Sequence, residues 1–149
     1  LWAARKALSP SLRKVAPKKI NEDVVVPVSN IPQLIDGLQA LSKQYQIPII
    51  NFGHAGNGNI HVNLLVQLDQ LDIANSCLAD VFQLVIKLNG SLSGEHGIGL
   101  EKRDYINLEL DNTAIDIMKK IKQQFDPLGI LNPDKVFPLT EKNACQTGS

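Results

Sequence analysis

Aromatic residues make up only 5% of this chain, with a single tryptophan, a single methionine and two cysteines in 149 residues. Two cysteines exclude a disulfide framework. Cys77 sits in a helical pattern and reads as a core thiol, while Cys145 sits in a polar tail and reads as a loose one. No apolar run approaches the roughly 18 residues a spanning helix needs, and no charged, apolar, small-residue leader opens the chain. Nor is there an excess of charge: 15 basic and 15 acidic residues leave a formal net charge of zero. That removes the electrostatic case for nucleic acid or an anionic membrane as a partner. A cytoplasmic location is the default expectation, and any peripheral membrane contact would have to come through partner subunits.

What is present is an ordinary globular composition, 44% apolar and 20% charged. The length suits one compact domain with a real core. The first residue is Leu1 rather than methionine, and the residues after it already read as the interior of a helix, as expected of a piece of a longer chain.

Histidine is scarce too, and its placement is informative. All three histidines fall in two glycine-rich stretches, Gly53-His54-Ala55-Gly56-Asn57-Gly58-Asn59-Ile60-His61-Val62-Asn63 and Ser93-Gly94-Glu95-His96-Gly97-Ile98-Gly99. Packing does not account for that clustering.

Taken in order, residues 1 to about 16 form an amphipathic pattern around Trp2, Leu8 and Leu12 that Ser9-Pro10 interrupts. The β-branched run from Glu22 to Val28 predicts a strand. Ser29 and Asn30 are good caps for a helix carrying Ile31, Leu34, Ile35, Leu38, Leu41 and Tyr45 at helical spacing and ending near Gln46. Ile47 to Phe52 predicts a second strand, starting or lying at an edge because of Pro48. From Asn59 to Val66 the residues alternate, so His61 and Asn63 share one surface, opposite Ile60, Val62, Leu64 and Val66. Asp69 can cap a long helix with Ala74, Leu78, Val81, Phe82, Val85 and Leu88 as its buried stripe and Gly90 as its stop. Ser91 to Gly94 reads as a short last strand.

The order strand, helix, strand, strand, helix, strand over residues 22 to 95 is that of a ferredoxin-like βαββαβ fold. It is an α+β class with an antiparallel sheet, both helices on one face, and flanking N- and C-terminal helices. The last helix is expected after the Asp111-Asn112-Thr113 cap, with Ala114, Ile117, Met118, Ile121 and Phe125 on its apolar side. Residues 139 to 149 read as a polar, disordered tail.

Two imidazoles seven residues apart, on either side of a turn that reverses the chain, can converge on one point. Glu95, at the end of another strand, can supply a third ligand. Two histidines and a carboxylate suit zinc, and also iron or manganese, with positions left open for substrate. The competing reading is that histidines beside glycine turns only cap loops through backbone hydrogen bonds. His96, next to Glu95, is of a type suited to general base work, or it hydrogen-bonds a carbonyl of its own loop. Asn63 can donate to a substrate carboxylate or carbonyl, or be merely solvated. The glycines of Gly94 to Gly99 do not make a dinucleotide fingerprint, because the spacing is wrong and no βαβ unit opens there.

These two stretches, together with Phe125-Asp-Pro-Leu-Gly-Ile-Leu-Asn-Pro-Asp-Lys135, resemble the C-terminal part of the FAD-linked oxidases of the vanillyl-alcohol oxidase class. That group includes glycolate oxidase, D-lactate dehydrogenase and D-2-hydroxyglutarate dehydrogenase, and the resemblance spans residues 1 to 138. It implies that His54, His61 and Glu95 are metal ligands, zinc above all, and that His96 is the base taking the hydroxyl proton. It further implies that Asn63 contacts substrate, that Arg5 grips the substrate carboxylate, that Ser9 and Lys19 are further substrate contacts, and that Asn132 approaches the flavin. The implied reaction oxidises a D-2-hydroxy acid of the glycolate or D-lactate type to the 2-oxo acid.

FAD would be held mainly by an N-terminal FAD-binding domain absent from this chain, in the same or a companion chain, so the chain alone is expected to be inactive. An iron–sulfur or other electron-transfer subunit is a further expected partner. The sequence departs from the family pattern at Asn57, where Asp is usual, and at Asp134, where Gly is usual. The alternative expectation, of another class, is a stand-alone or degenerate domain that binds a metal or a partner without catalysis.

Overall fold

The computed structural model describes residues 16–138. The helix expected over residues 1 to about 16, with Arg5 and Ser9, and the tail from 139 to 149 lie outside the described residues. The chain divides into two compact units, with the boundary between Glu95 and His96.

In the first unit the elements are β1 (Lys18–Val25), α1 (Ile31–Tyr45), β2 (Ile49–His54), β3 (Asn59–Val66) and α2 (Leu71–Lys87), with short 3-10 turns at Val28–Asn30, Ala55–Asn57 and Leu68–Gln70. The sheet has the order β1-β3-β2, and both pairings are antiparallel. This is a mixed α+β unit. β3 covers the alternating run 59–66, while β1 starts four residues earlier than its β-branched core suggests, because β3 is long enough to pair Lys18 with Val66. The expected fourth strand does not form among the described residues. Ser91 makes one antiparallel bridge to Val25, with N–H to O distances of 2.8 and 3.1 Å, and the ladder stops there.

Two helices supply the rest of the core. Pro32 is tolerated in the first turn of α1, where its missing N–H has no intrahelical partner to lose. Leu34 and Leu38, four residues apart, are fully buried, worth roughly 1.5–3 kcal/mol each. The helix ends at Gln46, which takes the left-handed conformation at φ 54°, as the spacing predicts. Asn30 does not cap through its side chain; its Nδ2 instead donates to Leu88 O at 2.9 Å, tying the start of α1 to the end of α2.

In α2, Ala74, Cys77, Leu78, Val81, Phe82 and Val85 are buried. Asp69 is not its cap, since a Gln67–Gln70 capping box closes the preceding turn. Asn89 at φ 57° takes the left-handed position expected of Gly90. α1 packs on α2 and β2, and α2 also packs on β3, so the core sits with Val24, Val62, Leu64 and Val66.

The second unit holds a 3-10 stretch at Arg103–Leu108 and α3 (Asn112–Phe125). Asp111 caps α3 as expected, its Oδ1 accepting from Ala114 N at 2.8 Å. Ile106 and Ile115 are buried. The expected apolar side is largely uncovered: Ile117, Ile121 and Phe125 are 52%, 53% and 82% exposed. After α3 the buried Asp126 pairs with Lys122 and accepts from Ile130 N at 3.0 Å and Leu131 N at 2.9 Å. The Lys122 ammonium beside Asp126 holds its carboxyl below the usual carboxylate range, against the opposing effect of burial; the Leu131 and Ile130 amides add to the lowering.

Candidate functional site

The β2–β3 hairpin brings the first two histidines together. His54 ends β2 opposite Asn59, and His61 in β3 stands opposite Phe52, so the two imidazoles are diagonal neighbours on one face. Their ring centroids are 6.2 Å apart, edge to face. The reversal between them depends on Gly58, at φ 75°. A Cβ there would lie 2.0 Å from the Val26 carbonyl oxygen, so the turn is closed against β1's end by a residue that has none.

Alternation places Lys19, Asn21 and Asp23 of β1 on the same face as His61, Asn63 and Leu65, because these are the register partners: Asp23 with His61, Asn21 with Asn63, Lys19 with Leu65. Glu95 reaches this face from the segment after Ser91. Its backbone N–H donates to Asp23 Oδ2 at 2.5 Å, and its Oε1 is 3.3 Å from His61 Nε2. Gly94 permits the approach, since a Cβ on it would meet the Asn59 side chain at 2.6 Å.

One ligand atom from each of His54, His61 and Glu95 lies within 4.8 Å of the others. A divalent ion held tetrahedrally at ~2.0–2.2 Å separates its ligand atoms by about 3.4 Å. The His61–Glu95 edge, at 3.3 Å, already has that length, and the two edges to His54 are no longer than 4.8 Å. His54 is exposed, Glu95 half-exposed and His61 half-buried, so the group faces outward and leaves coordination positions accessible. The donor set fits a divalent metal of the zinc, iron or manganese kind. Phe52, half-buried with its ring 5.6 Å from that of His61, packs beside the imidazole.

Asn63 shares the His61 face but is fully buried, not a surface residue. Its Nδ2 donates to Ile50 O at 3.0 Å and His61 O at 3.3 Å, while its Oδ1 has no partner. The Asn63 amide nitrogen is thus engaged by two main-chain carbonyls of the hairpin. Lys19 is half-buried, four residues along β1 from Asp23, roughly 13 Å at strand rise. Arg5 and Ser9 lie outside the described residues.

His96 and Asn132 belong to the second unit. His96 is its first residue and is exposed. Asn132 is left-handed at φ 47° and lines a cavity of about 500 Å³ with Met118, Ile121, Phe125, Val136 and Phe137. Asp134, where the resembled family has Gly, is also left-handed at φ 58°, a conformation Asp tolerates better than most residues.

Sequence reasoning missed Asp23 and Phe52. The available signal for Asp23 was an acidic residue inside a β-branched run. What could not be read was the register that sets it opposite His61.

Residues 1–136 match the family described as FAD linked oxidases, C-terminal domain. Among relatives, the chain is 36% identical to the glycolate oxidase protein GlcD of Bacillus subtilis over 140 residues, covering 92% of the chain and 30% of the relative. It is 36% identical over 144 residues to D-2-hydroxyglutarate dehydrogenase of Stutzerimonas stutzeri, covering 92% and 31%. With the mitochondrial D-lactate dehydrogenase (cytochrome) of Kluyveromyces lactis it shares 34% over 145 residues, covering 93% and 25%. The chain thus spans about three-tenths or less of the length of these relatives. Matched across nearly its whole length, and with both histidine stretches inside the match, this chain belongs to the C-terminal domain family of the FAD linked oxidases.

Proposed function

We propose that this chain is the substrate- and metal-binding part of a flavin-dependent dehydrogenase or oxidase that converts a D-2-hydroxy acid to the 2-oxo acid. The observation that carries the reading is the convergence of His54, His61 and Glu95 on one strand face of a FAD linked oxidase domain. Relatives named for glycolate, D-lactate and D-2-hydroxyglutarate support this substrate class.

When bound, a divalent ion supplies Lewis acidity and a template, and FAD supplies the two-electron acceptor. His54, His61 and Glu95 would hold the ion. His96 takes the hydroxyl proton on an imidazole nitrogen, leaving the C2 hydrogen to depart with its electron pair. Arg5 binds the substrate carboxylate through its guanidinium fork, with Ser9 and Lys19 as further contacts. Asn63, beside His61 on the same face, is assigned a substrate contact from the family resemblance. Asn132 would be a flavin contact.

The sheet order β1-β3-β2, with Ser91 bridged to the outer edge of β1, supports a ferredoxin-like topology whose fourth strand is reduced to one residue. The exposed stripe Ile117, Ile121 and Phe125 supports a FAD-binding domain, in the same or a companion chain, as its cover. An iron–sulfur or other electron-transfer subunit and a cytoplasmic location belong to the same proposal. No helix among the described residues is long and apolar enough to cross a membrane.

The test is oxidation of glycolate, D-lactate and D-2-hydroxyglutarate by this chain joined to a FAD-binding domain, followed with a dye acceptor. Turnover with at least one acid, lost in His96→Ala while metal and flavin stay bound, is expected. Metal and flavin retained without turnover on any of the three would leave a binding domain without catalysis in place of the enzyme.

A further inference from the structure

One buried carboxylate beside the ligand set has no part in the scheme above. Asp23 is completely buried, at 0% exposure, in β1. It is the register partner of His61, and its Oδ2 accepts the backbone N–H of Glu95, 72 residues away in sequence, at 2.5 Å.

The local ladder explains why that bond matters. Val25 and Ser91 pair antiparallel through both of their N–H groups. If the ladder continued, Asp23 would pair with Ser93, and Glu95 would run on alongside Asn21 at the edge of the sheet. The ladder stops instead, and the Asp23 side chain takes the Glu95 amide in place of a backbone acceptor. Because Asp23 shares its face with His61, the segment is turned onto that face and not along the edge. Gly94 leaves room for the turn over Asn59. The Glu95 carboxylate then stands 3.3 Å from His61 Nε2.

We propose that Asp23 is a positioning residue: its buried carboxylate holds the Glu95 backbone and thereby sets the third ligand of the metal group. This rests on the metal reading given above. Its chemistry is that of an outer partner which orients a ligand without touching the ion, and removal of such partners typically lowers metal affinity ~10–100-fold.

The experiment measures Co²⁺ and Zn²⁺ affinity of the full chain by competition with a chromophoric chelator, together with the visible absorption of the Co²⁺ form. Asp23→Ala is expected to lose about 10–100-fold in affinity and to give the Co²⁺ spectrum of Glu95→Ala. The double variant is expected to bind no more weakly than Glu95→Ala, because both changes remove the same ligand. Asp23→Asn retains an oxygen that accepts the amide and is expected to stay within a few-fold of the unaltered chain. That variant decides the matter if Asp23→Ala does not fold.

Losses that multiply in the double variant, or an Asp23→Asn chain that has lost more than about 10-fold, would overturn the assignment. An Asp23→Ala chain that binds like the unaltered one overturns this inference alone. An unaltered chain that takes up neither ion overturns the metal reading and this inference with it.

Discussion

His54 and His61 sit diagonally across the β2–β3 ladder, His54 against Asn59 and His61 against Phe52, with ring centroids 6.2 Å apart. Seven residues of sequence separation become a side-chain pair because a four-residue connection, Ala55 to Gly58, returns the chain in register. The chemistry of the site starts from that hairpin.

Metal binding should therefore stabilise the fold. With Zn²⁺ at about 100 times its dissociation constant, linkage predicts a gain of about 2.7 kcal/mol. Thermal unfolding followed by circular dichroism should show the midpoint rising by several degrees and returning when a chelator is added. In His61→Ala the shift should disappear; an equal shift in that variant would place the ion elsewhere.

Gly58→Ala should damage the hairpin directly. At φ 75° a side chain costs ~1–2 kcal/mol, and the 2.0 Å approach to the Val26 oxygen forces the backbone apart as well. A loss of at least about 2 kcal/mol in urea unfolding is expected, with weakened metal binding. Gly56→Ala, where nothing lies within 4 Å, is the control and should cost far less.

The Lys122–Asp126 pair makes the second unit sensitive to acid. Asp126 has its folded pKa lowered, first by Lys122, so its contribution is complete above the ordinary carboxylate value of about 4 and fades as pH falls from there through the folded value. Asp126→Asn should thus be less stable than the unaltered chain at pH 7, with the gap narrowing steadily below about pH 4. Thermal midpoints across that range check it; a gap independent of pH would refute the pairing as the source.

Cys77 is fully buried in α2, and burial pushes its thiol up to about 11, with Asp80 adding to the rise. In a Cys145→Ser background its alkylation at pH 8 should wait on opening of the fold. The rate is expected to be at least ~1,000-fold below that of the chain in denaturant. Fast alkylation of the native chain would mean that α2 opens locally.

Much of the fold was legible because its signals are local. The alternation of Asn59 to Val66 marked β3 end to end, and the spacing of Leu34, Leu38 and their neighbours carried α1 to Gln46. Ala74, Leu78, Val81, Phe82 and Val85 marked the buried side of α2, although Leu88, read into the same stripe, is only half-buried. Local signals failed where two segments far apart compete for the same groups. Ser91 to Gly94 has strand character, but it makes a single bridge to Val25, and the Glu95 N–H that follows bonds the Asp23 side chain. The apolar side of α3 is present as read, and Ile117, Ile121 and Phe125 stay exposed because nothing among the described residues covers them.

The same division holds for the site. The sequence by itself determined the candidate residue types, the glycine-rich turn that lets two imidazoles meet, and the family, because those depend on residue identity and near-neighbour spacing. Only the tertiary structure decided that Asp23 faces His61, that Asn63 is buried with its amide nitrogen spent on Ile50 and His61 carbonyls, and that Glu95 closes to 3.3 Å of His61. The reason is register. A strand's partner is set by pairing across the sheet, and a shift of one residue would have turned each of these side chains to the opposite face.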